Sequence, residues 1–176
     1  MSDADYRKRG NNFVLIGLPN CGKTTLGQRA AKELGLKFYD MNELIVRALG
    51  GPGSLSFLKL LNGYCDKEWE VLRKLLKKAK RSVIATGGSV LSFNYNIPLL
   101  KRLGHLFFID RDPEILLADP GDWEIKHNND EPVSLNTLLV KSHLDLDYAG
   151  IADTRVENHG DEDSGLVSLV AAIRNS

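Results

Sequence analysis

The residues most able to do chemistry lie early in the chain, in Gly17-Leu18-Pro19-Asn20-Cys21-Gly22-Lys23-Thr24-Thr25. They fit G-x-x-x-x-G-K-[ST], a loop whose backbone N–H groups turn inward on a phosphate chain. In that pattern Lys23 reaches the outer phosphates and the Thr24 hydroxyl sits on Mg²⁺, while Gly17, Asn20, Cys21, Gly22 and Thr25 complete the cradle. Asn20 is expected to occupy the left-handed backbone region without chemistry of its own. The bland alternative is a glycine turn that happens to precede a helix, and the flanks argue against it. Phe13-Val14-Leu15-Ile16 has the length and character of a buried parallel strand. From Thr25 to Leu34 the spacing of Leu26, Ala30 and Leu34 predicts a helix, with Gly35 where a C-cap glycine belongs. Strand, loop and helix N-terminus together make an anion site, here one for a nucleoside triphosphate with its Mg²⁺.

The rest of the chain supplies elements to position that loop. Leu36 to Asp40 reads as a second strand ending in a carboxylate, and a helix through Leu44, Ile45 and Leu49 follows. Asp40 is a metal-side candidate or a plain strand-end acid, and Asn42 stands where it could cap that helix. Gly50-Gly51-Pro52-Gly53 breaks the chain. Ser54 would cap a short helix with Leu55, Leu58 and Leu61. A longer helix from Asp66 to Lys80 would bury Trp69, Leu72, Leu75 and Leu76. Its basic end, Lys77 to Arg81, suits the C-terminal pole of a helix dipole.

Val83 to Thr86 predicts a third strand running into Gly87-Gly88-Ser89, then a helix from Ile97 to Leu103. His105 to Asp110 predicts a fourth strand and Ile115 to Leu117 a helix. Residues from about 118 to 133 are polar and irregular, as a lid loop would be. Ser134 to Leu146 returns to helical spacing, Thr154 to Glu157 makes a thin fifth strand, and Gly165 to Ile173 a last helix. Alternating strands and helices predict an α/β fold with a parallel sheet covered on both faces. The ligand edge of such a sheet is where its strands end, here at the phosphate loop, Asp40 and Gly87-Gly88-Ser89.

A chain of 176 residues is expected to form a single domain over 1–176, with residues 1–10 as a flexible tail. The 23 basic and 23 acidic residues cancel, so charge points to neither nucleic acid nor an anionic membrane. No apolar run reaches the roughly 20 residues of a membrane span. Two cysteines make no disulfide framework and suit a reducing cytosol. His105 is expected to be structural. His127, His143 and His159 share no ligand spacing, so no dedicated protein metal site is expected.

In order and spacing these parts resemble the shikimate kinase family of P-loop, nucleoside-monophosphate-kinase-like proteins. The resemblance rests on Gly17 to Thr25, Phe38-Tyr39-Asp40-Met41-Asn42, Ile84 to Ser89, and Tyr148-x-x-Ile151-Ala152-Asp153-x-x-Val156. It implies a five-stranded parallel sheet, a mobile lid, and transfer of the γ-phosphoryl of MgATP to a hydroxyl of a small metabolite; separately, a monomer is expected. By position it gives Lys23 and Thr24 the phosphates and Mg²⁺, Asp40 the metal side, and Gly87 and Gly88 the wall against the acceptor. The second aspartate of the family's acid pair is Asn42 here, and the arginine that grips the acceptor's carboxylate aligns with Lys67. The third glycine is Ser89, and an arginine before the late tyrosine is Leu144. From Asp112 to Asp153, both included, only Lys126 and Lys141 stand against ten acids, with no arginine. Asparagine orients a hydroxyl but takes no proton near neutrality, and lysine lacks the bidentate fork. The departures leave two readings open: a kinase of shikimate or a related metabolite, and a catalytically impaired relative that acts by binding nucleotide.

Overall fold

Val14, Leu15 and Ile16 are apolar without alternation because their strand is covered on both faces, and all three are fully buried. The computed structural model describes residues 10–50, 57–118, 124–125 and 133–176. Its strands are β1 (Asn12–Ile16), β2 (Lys37–Asp40), β3 (Ser82–Ala85), β4 (Gly104–Asp110), β5 (Glu124–Ile125), β6 (Val133–Ser134) and β7 (Thr154–Glu157). Its helices are α1 (Lys23–Leu34), α2 (Met41–Ala48), α3 (Phe57–Lys78), α4 (Asn96–Leu103), α5 (Pro113–Ala118), α6 (Leu135–His143), α7 (Tyr148–Ile151) and α8 (Glu162–Arg174).

The five-stranded sheet has the order β2-β3-β1-β4-β7, and every pairing is parallel. Leu15 stands between Ala85 and Phe107, so the strand feeding the loop is the central one. Helices flank this sheet, with α1 packed on α8, and α3 on α2 and α4. This is the predicted fold class. No helix among the described residues is long and apolar enough to cross a membrane.

Several boundaries differ from the sequence reading, each for a physical reason. Helix α1 begins at Lys23, inside the motif, because the left-handed Gly22 (φ 96°) turns the chain directly into it. Gly35 ends it in the left-handed conformation, as its position suggests. The short helix and the Asp66–Lys80 helix are one element, α3: Gly63 weakens a helix without breaking it when a buried stripe holds the rest. Ser54 and Leu55 lie outside the described residues. The buried stripe of α3 is Glu68, Val71, Leu72 and Leu75, while Trp69 is 37% exposed with Arg73 stacked over its ring.

The cap of α2 is Asp40, whose Oδ1 accepts the Glu43 N–H at 3.2 Å, and Asn42 lies exposed in the first turn. Most of the lid segment lies outside the described residues. Two described pieces, one inside that segment and one at its end, pair as an antiparallel ribbon, Glu124 with Ser134 and Ile125 with Val133. The helix expected from Ser134 to Leu146 stops at His143, and α7 follows. Asp161 caps α8 by accepting the Ser164 N–H, which starts that helix at Glu162 rather than Gly165.

Candidate active site

Lys23 is charged yet only 6% exposed, so its amino group needs partners. It donates to the carbonyls of Gly17 at 2.9 Å and Leu18 at 2.6 Å. Its third contact is the Cys21 sulfur at 3.5 Å, so the loop engages all three donors of the ammonium. The loop thus folds around the lysine and holds it at the end of β1. Asn20 takes φ 59°, the left-handed value expected of it.

The loop is braced from behind by a residue with no motif to mark it. Asn158, just past β7, donates its side-chain N–H to the Cys21 carbonyl at 2.9 Å and its backbone N–H to the Asp110 carbonyl at 2.8 Å. A Cβ on Gly22 would lie 2.9 Å from the Asn158 amide nitrogen, so glycine serves both the positive φ and the close approach. Removing the amide leaves a buried carbonyl unpaired, and Asn158→Ala should cost about 1–3 kcal/mol in urea unfolding. An unchanged unfolding midpoint would show that the brace carries nothing.

Two strand-end acids flank the loop, and their partners separate their roles. Asp110 is bound by Arg155 across the β4–β7 ladder, with Nε 2.8 Å from Oδ2. Asp40 instead faces the loop, where the Thr24 hydroxyl donates to its Oδ2 at 2.6 Å. A hydroxyl and a carboxylate side by side beside a phosphate cradle are the hard oxygen donors that suit Mg²⁺ with its retained waters. The residues present therefore fit the metal that the sequence implies. His105, by contrast, lies at the amino end of the sheet against Thr154 and Phe107.

The turn after β3 lies against the phosphate loop: a Cβ on Gly88 would come within 2.6 Å of the Pro19 ring. The Tyr148 phenol donates to the Gly88 carbonyl at 2.6 Å, and its ring stacks on Phe108. Burial, with the Cys21 thiol and the Glu68 carboxyl adding, pushes the Tyr148 phenol well above its usual range, which keeps it a donor. Lys67 is paired with Glu70, its Nζ 2.9 and 3.0 Å from the two carboxylate oxygens. The hydrogen bond from Lys67 is the main reason that the Glu70 carboxyl titrates below its ordinary value. Lys67 is thus engaged along α3, about 100° around the helix from its neighbour Glu68.

Glu68 is the residue that the sequence reading missed. It is fully buried, with Ser89 Oγ donating to Oε1 at 3.3 Å and Asn96 Nδ2 donating to Oε2 at 3.2 Å. Its signal is present in the sequence: Glu68 stands four before Leu72 and seven before Leu75, an acid on an apolar stripe. Burial pushes its carboxyl up from the ordinary 4.5 to about 7, against the two hydrogen bonds that pull it down. A raised folded pKa contributes stability that is complete below about 4.5 and lost as the pH rises through about 7. The full loss is roughly 3 kcal/mol. Glu68→Gln should remove that slope, leaving the variant more stable than the parent at pH 8 by about 2 kcal/mol after one lost hydrogen bond. Equal slopes for the two proteins, from urea unfolding at acid and alkaline pH, would contradict this.

Comparisons with known proteins agree with this geometry. A family model described as shikimate kinase matches residues 19–171. The shikimate kinase of Clostridium botulinum (strain Eklund 17B / Type B) is 40% identical over 109 residues, 62% of this chain and 66% of that protein. The match thus spans slightly less than two thirds of that relative's length. The shikimate kinase of Francisella tularensis subsp. novicida is 27% identical over 168 residues, covering 93% of this chain and 94% of its own. Among solved structures, the shikimate kinase from Acinetobacter baumannii in complex with shikimate has a TM-score of 0.73 at 22% identity, covering 94% of this chain and 92% of that one. A gluconokinase from Sinorhizobium meliloti shares the fold at a TM-score of 0.61 and 16% identity, over 96% of this chain and 94% of its own. The loop around Lys23, the Thr24–Asp40 pair beside it and a family match over most of the length lead to one conclusion: this chain belongs to the shikimate kinase family.

Proposed function

We propose that this protein transfers the γ-phosphoryl of MgATP to a hydroxyl of a small metabolite, with shikimate as the acceptor. The observation that carries the reading is the Thr24–Asp40 hydrogen bond beside the buried Lys23, because it gathers a cation, a hydroxyl and a carboxylate at one end of the phosphate loop. Gly17, Asn20, Cys21, Gly22 and Thr25 cradle the phosphates, Lys23 neutralises the outer ones, and Thr24 and Asp40 hold Mg²⁺. When bound, Mg²⁺ spreads the negative charge of the phosphate oxygens, the main demand of a loose phosphoryl-transfer transition state.

The acceptor side falls to Asn42, Gly87 and Gly88. Asn42 orients the attacking hydroxyl without taking its proton, which such a transition state tolerates. Lys67 reaches the acceptor only by giving up Glu70. The purely binding alternative gains no support from the curated relatives, which are kinases by name. The buried free thiol of Cys21 supports a reducing cytosol, and we infer a monomer built on residues 1–176, with a tail over 1–10 and a lid over about 118–133. The test is ADP formation from MgATP with and without shikimate. Release that depends on shikimate and saturates supports the reading. Equal release in both refutes shikimate as the acceptor.

A further inference from the structure

Glu68 is buried, titratable and unused by the mechanism above, and its partners restrict where a proton on it can go. Asn96 gives one amide hydrogen to Glu68 Oε2 and the other to the Val90 carbonyl at 3.0 Å. Turning that amide over would set its oxygen against the Val90 carbonyl, so Asn96 holds Oε2 as an acceptor. The remaining place for a proton is Oε1, which faces Ser89. With Glu68 ionised, the Ser89 hydroxyl must donate to it. With Glu68 protonated, Oε1–H donates to Ser89 Oγ and the serine's own hydrogen is released. The backbone beside Ser89 is held independently, by Tyr148 on the Gly88 carbonyl and by Pro19 against Gly88. Only the hydroxyl is left to reorient.

We propose that Glu68 is a positioning residue for the acceptor, setting through Ser89 whether the turn after β3 offers the bound metabolite a hydrogen-bond donor or an acceptor. This rests on the reading that the Gly87-Gly88-Ser89 turn faces the acceptor. The ionised pair presents a lone pair to a hydroxyl of a polyol. The protonated pair presents an O–H to a carboxylate and removes a negative charge from its neighbourhood. A carboxylate-bearing acceptor is therefore favoured on the acid side of the Glu68 titration.

The groups around Glu68 leave that titration to Glu68 itself. Ser89 and Asn96 are neutral, and Tyr148 keeps its proton well above neutrality. Lys67 and Glu70 bind each other on α3, and Arg73 lies over Trp69. Glu43 and Arg47 are paired on α2, and Lys101 and Arg102 stand in the last turn of α4. Lys23 is held by the phosphate-loop carbonyls.

The experiment uses the whole chain, Glu68→Gln and Ser89→Ala, with MgADP calorimetry to show that each variant retains its nucleotide site. The side-chain amide signals of Asn96 are followed by NMR from about pH 5 to 9 without acceptor. They should titrate near 7 in the parent and not in Glu68→Gln. In Ser89→Ala the midpoint should rise, because a hydrogen bond to the ionised form is gone. In kinetics, the KM for shikimate should rise about tenfold across the titration in the parent, the worth of one hydrogen bond, and stay flat in both variants while the KM for ATP does not move. An Asn96 amide that does not titrate in the parent, a titration that survives Glu68→Gln, or a KM slope that survives Ser89→Ala would overturn the proposal. A parent that titrates as described but phosphorylates no shikimate would refute the acceptor assignment and still support the Glu68–Ser89 pair.

Discussion

Replacing Lys23 by alanine should reduce MgATP turnover by about 10²–10³-fold, the loss typical of removing one preorganised group aimed at developing charge. Nucleotide affinity should also fall, by about 1.5–3 kcal/mol for a charge-assisted hydrogen bond. The larger effect on turnover follows from position. Lys23 stands at the first turn of α1, where the helix N-terminus already attracts the phosphates, so binding retains a favourable field without it. The variant also leaves the Gly17 and Leu18 carbonyls without their donor, so the loop should loosen as well as lose charge. Calorimetry with MgADP and steady-state kinetics separate the two effects. Equal affinity and equal turnover for parent and variant would remove Lys23 from the site.

The second large effect is expected at Asp40. Asp40→Asn should lower turnover about a hundredfold while changing nucleotide affinity much less. The substitution is informative because Asp40 has two duties. As the cap of α2 it accepts the Glu43 N–H, and asparagine caps a helix nearly as well as aspartate. As the partner of Thr24 it presents a carboxylate to the proposed Mg²⁺ position, and an amide oxygen is a weaker ligand for a hard cation. Stability should therefore survive where catalysis does not. Lost affinity with unchanged turnover would mean that Asp40 is not on the metal side.

Much of this arrangement was legible because it is local. The run Val14 to Ile16 leads straight into the phosphate loop, and a strand, a glycine and a helix in sequence leave the loop few places to be. Asp40 was readable for the same reason, as an acid closing a strand at the ligand edge of a parallel sheet. The braces were not, because they close over long separations. Asn158 meets the Cys21 carbonyl across 137 positions, and nothing in its own neighbourhood marks it. Glu68 was hidden by its charge. Trp69 has the more apolar side chain, whereas the helix buries Glu68, four residues before Leu72, and turns Trp69 outward. Lys67 was placed by alignment alone, and its pair with Glu70 is an i, i+3 contact that alignment does not see. The stretch from about 118 to 133 was legible only as polarity. Composition signals that a loop is solvated, not how it folds over a ligand.

The central claim is that the γ-phosphoryl leaves ATP for a hydroxyl of the acceptor, and ³¹P NMR reads that transfer directly. With the whole chain, MgATP and shikimate, the γ-phosphate signal should disappear at the rate at which a phosphomonoester signal appears, with inorganic phosphate unchanged. Lys23→Ala in the same mixture should leave the spectrum nearly still. Inorganic phosphate appearing in place of the monoester, or ATP untouched while calorimetry shows MgATP bound, would contradict the claim.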